Sequence, residues 1–397
     1  MFARTQESAR SLWAAVAACA ADKRPQKIDL LVGVYKDKNG KTPVMKAVRL
    51  AEESLWQQQE TKSYLAVTGR DAFATAILDL VLGSTPARQR AYGLQTVGGS
   101  GALRVLLELV MRSNPVATVW ISDPGYPGHL TAASAVGLDI RFYPYAVTAA
   151  GTINTDVVLA SLTAAKKGDV VIIDASCHNP TGVDLSADAW LAVGGICARQ
   201  GLVPLVDVAY QGLAHDVAAD VAGVTMLTSV VDSAFIAVSC SKTFGVYRER
   251  AGAAIVIGPT QGAIQGFMQS LVEITFSSYA VPPDHGAALV EAVLGDTSLR
   301  AIWQDELRSM NRHLRDCRKS LADSIQHNTG IPDLEYIRSG HGIFSLLPLN
   351  SHQMRELRDR FAIHGLESGR VNITGMNASQ IEAVAEGVAS VLAQSRQ

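Results

Sequence analysis

The feature that most constrains the fold of this chain is a series of short apolar runs, separated by helix-like segments, between about residues 70 and 260. The runs are continuously rich in Val and Ile instead of alternating with polar residues, which is typical of strands covered on both faces. The pattern predicts an α/β fold with a mostly parallel central sheet covered by helices. The runs span 91–97, 117–122, 170–173, 202–206, 234–238 and 253–257.

Five of these runs end in residues that can bind a ligand. In open α/β sheets, ligands bind outside the carboxyl ends of the strands, so the five endings are expected to converge on one site. Each ending alone is a weak signal, because Asp, Asn and Ser also cap helices. The endings are Gly98-Gly99-Ser100-Gly101, Asp123-Pro124, His178-Asn179-Pro180-Thr181-Gly182, Asp207 and Ser239-Cys240-Ser241-Lys242.

Lys242 is the most reactive candidate among these residues. It follows an apolar run closely, and its ammonium group would be costly to desolvate without a partner. A lysine whose pKa is lowered is a nucleophile suited to a Schiff base with an aldehyde. The alternative is a lysine that extends from the strand end to solvent, and this residue alone does not decide between the two.

Composition argues against several other classes of function. The 397 residues carry 35 Lys and Arg against 37 Asp and Glu, a net charge of −2. This balance gives no electrostatic reason to expect a nucleic-acid partner or an anionic membrane, and no stretch is long enough to span a bilayer. Five scattered cysteines show no C-x-x-C pair and no zinc-ligand spacing. We therefore expect no metal site, reduced thiols and a cytoplasmic protein.

The chain changes character beyond residue 285, where charged helical segments and short strands indicate a smaller α+β domain. We place a large domain at 41–298 and a small domain, formed by both chain ends, at 1–40 and 299–397. The predicted elements of the C-terminal part are a helix over 303–324, a strand over 343–347 and a helix over 355–361.

The N-terminal stretch 12–21 is short, apolar and rich in alanine, as signal peptides are. Glu7 interrupts the basic region before it, and alanine is the best helix former. An ordinary N-terminal helix is therefore the better interpretation.

In their order and spacing, the motifs at the strand ends resemble those of the class I aminotransferases that use pyridoxal phosphate (PLP), in the branch of the aspartate and aromatic amino acid enzymes. The resemblance runs from Met1-Phe2 to the C-terminal helix. It implies a fold type I PLP-dependent transferase that moves an amino group between an L-amino acid and a 2-oxo acid. It also implies a ping-pong mechanism through pyridoxamine phosphate and a homodimer with active sites at the interface. Its motifs are three of the endings above, those that begin at Gly98, His178 and Ser239, together with Asp207-Val208-Ala209-Tyr210-Gln211-Gly212 and Ser368-Gly369-Arg370.

The resemblance implies catalytic roles for three residues. Lys242 would form the Schiff base with PLP and then move a proton between the substrate Cα and the cofactor. Asp207 would pair with the pyridinium nitrogen, which keeps the ring able to accept electrons. Tyr210 would hydrogen-bond the phenolic oxygen, together with Asn179.

The resemblance also implies binding roles. Tyr126 would stack on the cofactor ring, Arg370 would bind the substrate α-carboxylate as a fork, and Gly33 would lie in the segment that lines the pocket entrance. The phosphate group would be held by Gly99, Ser100, Ser239, Ser241, Arg250 and a Tyr64 donated by the neighbouring subunit.

Phe276 departs from the family pattern in a way that bears on the substrate. Aspartate-type members carry an arginine three residues before the tyrosine that is Tyr279 here, and this arginine binds the distal carboxylate. Burying that carboxylate against a phenylalanine is unfavourable, so we predict a preference for aromatic or other uncharged side chains. One alternative is an aspartate/glutamate-type enzyme whose distal charge comes from elsewhere, such as Lys36 or Lys38. Another is a PLP-dependent lyase or decarboxylase on the same scaffold.

Asp174 is a second departure, because family members often have a histidine at this position behind the cofactor ring. It either alters the hydrogen-bond support of Asp207 or is a strand-end aspartate without a role in the chemistry.

Overall fold

The computed structural model describes residues 9–394 of the chain, with side chains from residue 11. Met1-Phe2 and Glu7 lie outside the described residues. The helices are α1 (Ala9–Ala21), α2 (Lys46–Gln58), α3 (Asp71–Leu82), α4 (Pro86–Gln89), α5 (Gly98–Ser113), α6 (Pro127–Val136), α7 (Thr155–Leu162), α8 (Ala187–Gln200), α9 (Ala222–Val230), α10 (Cys240–Thr243), α11 (Gln261–Tyr279), α12 (Asp284–Gly295), α13 (Thr297–Thr329), α14 (Glu335–Arg338), α15 (Ser351–Phe361) and α16 (Ala378–Gln394). The strands are β1 (Ile28–Asp29), β2 (Ala91–Val97), β3 (Thr118–Asp123), β4 (Asp139–Pro144), β5 (Val170–Asp174), β6 (Val203–Val208), β7 (Ala234–Ser239), β8 (Ala251–Ile257), β9 (Phe344–Leu346), β10 (Ile363–His364) and β11 (Arg370–Asn372).

The central sheet has seven strands in the order β2-β8-β7-β6-β5-β3-β4, and the predicted α/β class is confirmed. Strands β3 to β7 are parallel, whereas β8 is antiparallel to both of its neighbours. Strand β2 therefore runs in the same direction as β7. As a result, the carboxyl ends of β2, β3, β5, β6 and β7 lie at one edge of the sheet, as the sequence predicts. The amino end of β8, next to Arg250, lies at the same edge.

Strand β4 was not among the predicted runs, and its position in the sheet explains why. It is an edge strand in which exposed and more buried residues alternate along Asp-Ile-Arg-Phe-Tyr-Pro. Such alternation is typical of a strand with one face toward solvent, so no continuous apolar run marks it.

The sheet separates two apolar layers. One layer packs the apolar faces of α5 and α11 against the sheet, with Leu106 and Leu205 fully buried. The other contains α3, α12 and α13, with Ile77 and Trp303 fully buried. This two-sided burial explains the continuous Val and Ile runs of the central strands.

The two ends of the chain meet outside this sheet. Strand β1 pairs in parallel with β10, and β9 pairs antiparallel with β11. The predicted helix 303–324 is longer than expected and forms α13. The stretch 12–21 is helical within α1, as expected. The division into a large and a small domain remains a prediction.

All five cysteines are free and buried. Within residues 9–394, no helix combines the length and the apolar character needed to cross a membrane.

Candidate active site

Lys242 lies just beyond the fully buried strand β7, in the short helix α10. The Ser239 hydroxyl caps this helix by accepting a hydrogen bond from the Ser241 N–H at 3.3 Å. The Lys242 Nζ lies 4.9 Å from the centre of the Tyr210 ring. In the described part of the chain, no acceptor or carboxylate binds this ammonium group directly. Burial lowers the pKa of Lys242, and the more distant charge of Asp207 opposes this effect.

Asp207 faces the same space from the end of β6. Its Oδ2 lies 2.9 Å from Nε2 of His129, which belongs to the first turn of α6. Both side chains are buried. Burial alone would lower the pKa of His129, but the hydrogen bond to Asp207 and the charges of Asp174 and Asp207 outweigh it and raise the pKa.

Tyr126 and Tyr210 contact the two groups just described: the Tyr210 ring lies under the Lys242 Nζ, and the Tyr126 ring meets the His129 ring edge-to-face at 5.3 Å. Burial raises the pKa of both phenols, and Asp207 adds to the rise in each case. The positive charge of Arg370 opposes the rise of the pKa in both tyrosines.

Asn179 lies in the loop that follows β5 and is 3% exposed. Its Oδ1 is buried without a hydrogen-bond partner among the described residues. The loop is held by Asp184, whose Oδ1 accepts a hydrogen bond from the His178 N–H at 2.9 Å. A buried side-chain amide oxygen without a partner is therefore present where the sequence predicts a ligand.

The start of α5 forms a cradle with Arg250 and Ser239. Gly98 has a left-handed φ of 65°, and a Cβ at this position would lie 2.6 Å from Nη2 of Arg250. A Cβ on Gly99 would lie 2.8 Å from Cβ of Ser239. Side chains are thus excluded, and the backbone N–H groups of the first helical turn, which include Ser100, remain available to an anion.

Arg250 completes this cradle. Its Nη1 donates hydrogen bonds to Ser241 Oγ and to the Tyr247 carbonyl, both at 3.2 Å. Within the described residues, no carboxylate pairs with this guanidinium group. A half-buried arginine that no described carboxylate neutralises, beside the N–H groups of a helix start, is suited to bind a phosphate.

Arg370 and Phe344 pack against each other at strands β9 and β11. The guanidinium carbon lies 4.4 Å from the centre of the Phe344 ring, across the β9–β11 pair. The segment with Gly33 is held against β11 by Asn372, whose Nδ2 donates to the carbonyls of Val32 and Val34 at 2.6 and 2.9 Å. The carboxylate-binding arginine predicted from the sequence therefore has a fixed position beside Gly33.

Tyr64 and Phe276 stand apart from this cluster. Their side chains are 93% and 64% exposed, so the single chain does not bring them into the buried site. Lys36, considered as a source of the distal charge, donates from Nζ to the Asp29 carbonyl at 3.3 Å.

Sequence reasoning missed four residues that shape the site. All four are buried: His129 contacts Asp207 and Phe344 contacts Arg370, whereas Asn372 and Trp303 bind backbone carbonyls next to Gly33 and Lys242. Trp303 donates from Nε1 to the Thr243 carbonyl at 2.8 Å and stacks on Phe244. The one available signal was a histidine three residues after Tyr126, which is weak without knowledge of the partner.

Comparison with known proteins gives consistent matches. The sequence model of the family "Aminotransferase class I and II" matches residues 25–388. A tyrosine aminotransferase from Rhizobium meliloti (strain 1021) is 39% identical over 364 residues, which cover 92% of this chain and 93% of that protein. The aspartate aminotransferase of Escherichia coli (strain K12) is 35% identical over 375 residues, which cover 94% of this chain and 95% of that protein. The crystal structure of an aromatic-amino-acid aminotransferase from Burkholderia pseudomallei, covalently bound to pyridoxal phosphate, superposes with a TM-score of 0.91 at 33% identity and 98% coverage of each chain.

Proposed function

Because the chain belongs to the class I and II aminotransferases, we propose that it transfers the amino group of an aromatic or other uncharged L-amino acid to a 2-oxo acid. The fold is that of the PLP aminotransferases, and the cofactor is PLP. The single observation that carries the assignment of the reacting group is the buried Lys242 amine, which lies over the Tyr210 ring without a direct partner in the described residues.

The residues present fit this cofactor. An aldehyde needs an amine with a lowered pKa, which Lys242 supplies. A phosphate needs donors that carry no anion of their own, which Arg250 and the start of α5 supply. A pyridine nitrogen needs a fixed acidic partner, and Asp207 is fixed by His129. When bound, PLP accepts electrons from the substrate Cα and stores the amino group between two half-reactions.

Lys242 is the group that moves the proton in this proposal. Its Nζ would take the proton from the substrate Cα as a base and give it to the cofactor as an acid. Burial favours the neutral amine, so a larger fraction is ready to act as a base at neutral pH.

Arg370 orients the substrate. It is 3% exposed and packs on Phe344, so its guanidinium group presents a prearranged fork to the α-carboxylate. With its α-carboxylate held by Arg370 and its amino group near Lys242, the substrate would present its Cα–H bond to the base. This geometry favours proton loss over decarboxylation, which supports transamination over the lyase alternative.

Phe276 is the proposed determinant of substrate choice, in a homodimer. The exposed Phe276 and Tyr64 rings are large apolar groups that a second copy of the chain would cover. A pocket completed by Phe276 has apolar surface where a distal carboxylate would need a cation. Lys36 is directed at the Asp29 carbonyl, which argues against its supplying that cation. Five free, buried cysteines support the proposal of a reducing, cytoplasmic location.

The reaction type is tested with an amino acid alone. Phenylalanine added to the holoenzyme without a 2-oxo acid should convert the visible absorbance of the bound cofactor completely, and a 2-oxo acid should restore it. Continuous release of ammonia or carbon dioxide without a 2-oxo acid would establish the lyase alternative instead. In Lys242→Ala, the visible band that titrates with pH should be lost.

Substrate choice is tested with a panel of amino donors compared by kcat/KM. The kcat/KM values for phenylalanine and tyrosine should exceed those for aspartate and glutamate, and the reverse order would contradict the proposal. Phe276→Arg should raise kcat/KM for aspartate, relative to that for phenylalanine, by about 10- to 150-fold, because a hydrogen bond to a charged group contributes about 1.5–3 kcal/mol. Phe276→Leu is the matched control, which keeps the apolar surface and should not favour aspartate.

A further inference from the structure

Asp174 is a buried carboxyl group directly beside Asp207. The two residues are register partners in the parallel pair β5–β6, so their side chains leave the same face of the sheet. Only 5% of the Asp174 side chain is exposed. Among the described residues, no side chain donates a hydrogen bond to the Asp174 carboxyl group. Two like charges side by side are unfavourable, so this arrangement needs a compensating proton or cation.

His178 does not supply that cation, although its Nε2 lies 3.6 Å from Asp174 Oδ2. Burial lowers the pKa of His178 to about 3, so the ring is neutral at physiological pH. The ring is also engaged elsewhere, since Nε2 lies 3.2 Å from Ser122 Oγ and the ring stacks on Tyr145 at 3.7 Å.

His129 remains as the basic group of this cluster. The oxygen and nitrogen atoms of His129, Asp174 and Asp207 approach within 4.8 Å of one another. The ring is 1% exposed, and its Nδ1 has no hydrogen-bond partner among the described residues. An imidazolium ring in this position faces two carboxylates, and each of them stabilises its charge.

We propose that Asp174 is a positioning residue, whose carboxylate keeps His129 in the imidazolium form and thereby fixes Asp207 for the cofactor ring nitrogen. The inference rests on the proposed function, because it concerns the same site. A neutral His129 would carry its hydrogen on Nε2, because Nδ1 has no acceptor among the described residues, and would give Asp207 an uncharged hydrogen bond. An imidazolium ring donates a stronger, charge-assisted hydrogen bond to Asp207 Oδ2, so that oxygen stays engaged and Oδ1 stays free for the cofactor.

The direction of the pKa shifts agrees with this arrangement. The pKa of Asp174 is raised by burial and by Asp207, while His129 opposes the rise. The pKa of His129 is raised by Asp207 and by Asp174 against the effect of burial. The two groups therefore compete for one proton, and the inference assigns that proton to His129 because its Nε2 is already hydrogen-bonded to Asp207. The titratable groups that face this cluster are Asp207 on β6, His178 and Asp184 after β5, Tyr143 on β4, Tyr126 at the start of α6, Tyr210 after β6 and Lys242 after β7.

The test is the protonation state of His129 in the holoenzyme labelled with ¹⁵N-histidine. The ¹⁵N chemical shifts of the two ring nitrogens separate imidazolium from neutral imidazole, and His129→Gln assigns the signals. In the wild-type protein His129 should be imidazolium at neutral pH. In the nearly isosteric variant Asp174→Asn, the acid dissociation constant of His129 should rise about tenfold or more, so that the ring loses its proton at lower pH. Ser122→Ala is the control, because it changes a contact of His178 but no charge.

Activity provides the second measurement. Asp174→Asn should bind PLP but lose several-fold in kcat, with KM for the amino acid little changed, because Arg370 is not touched. A neutral His129 in the wild-type holoenzyme would overturn the inference, even if Asp174→Asn did not fold. An unchanged ionisation of His129 in Asp174→Asn would overturn it as well. If the protein transferred no amino group at all, the proposed function would fail, and the ¹⁵N shifts would still report on His129 and Asp174.

Discussion

Gly33 lies against the edge of the Phe344 ring so closely that a Cβ at Gly33 would be 2.7 Å from Phe344 Cζ. The same ring supports the Arg370 guanidinium at 4.4 Å. The entrance segment, the aromatic ring and the arginine therefore form one packed stack, and the position of the arginine depends on the absence of a side chain at residue 33.

Gly33→Ala should displace the Phe344 ring and, with it, Arg370. The expected result is a rise in KM for the amino acid of about tenfold or more, since hydrogen bonds to charged groups contribute about 1.5–3 kcal/mol. PLP binding should be preserved, because Arg250 and Lys242 are not affected. Gly295→Ala is the control, because a Cβ there meets no atom within 4 Å. Equal kinetics for both variants would contradict the proposed stack.

Trp303 connects helix α13 to the residues beside Lys242. Its Nε1 donates to the Thr243 carbonyl at 2.8 Å, and its ring is stacked on Phe244 at 4.8 Å. Trp303→Phe keeps an aromatic ring but leaves a carbonyl without its donor, which should lower the free energy of unfolding by about 1–3 kcal/mol. Urea denaturation of the holoenzyme measures the change. Trp56→Phe, at an 84% exposed position, should have little effect.

The convergence of the five strand ends could be predicted from the sequence because it depends on local chemistry. A continuous apolar run indicates a strand buried on both faces, and parallel direction follows from the helices between the runs. The edge strand β4 gave no such signal, since its exposed face carries Asp139 and Arg141.

The partners of the predicted residues were harder to find. His129 is separated from Asp207 by 78 positions, and a single histidine in a helix carries no sign of a distant carboxylate. Phe344 lay within a predicted strand, but its position under Arg370 depends on the register of β9 and β11. These contacts arise from tertiary packing, which local sequence patterns do not encode. The roles of Tyr64 and Phe276 depend on a second copy of the chain and stay predictions.

Asp22 joins the N-terminal segment to strand β10, and its contribution to stability should depend on pH. Hydrogen bonds from the side chain and backbone of Arg24, and then from His364, hold the pKa of this carboxyl well below its usual range. A carboxyl whose pKa is lowered by folding stabilises the protein above its unfolded-state pKa, about 3.9, and loses this contribution as the pH falls toward the folded-state value.

Asp22→Asn should therefore unfold at lower urea concentration than the wild type at about pH 7 and about pH 5, and the difference should shrink below about pH 4. Asp139→Asn, at an exposed position of β4, serves as the control. A difference that grew on acidification would contradict the argument.

The proposed exchange of Tyr64 between subunits can be tested by mixing two defective chains. Tyr64→Ala should weaken PLP binding, and Lys242→Ala should abolish transfer. If Tyr64 completes the site of the other subunit, a mixed dimer contains one site with both defects and one site with neither, because the intact Tyr64 of one chain meets the intact Lys242 of the other. Refolding the two variants together should then restore wild-type affinity for PLP in a fraction of the sites, measured by activity at limiting cofactor. If Tyr64 acted within its own chain, no mixture would contain an intact site, and the activity would equal that of Tyr64→Ala alone.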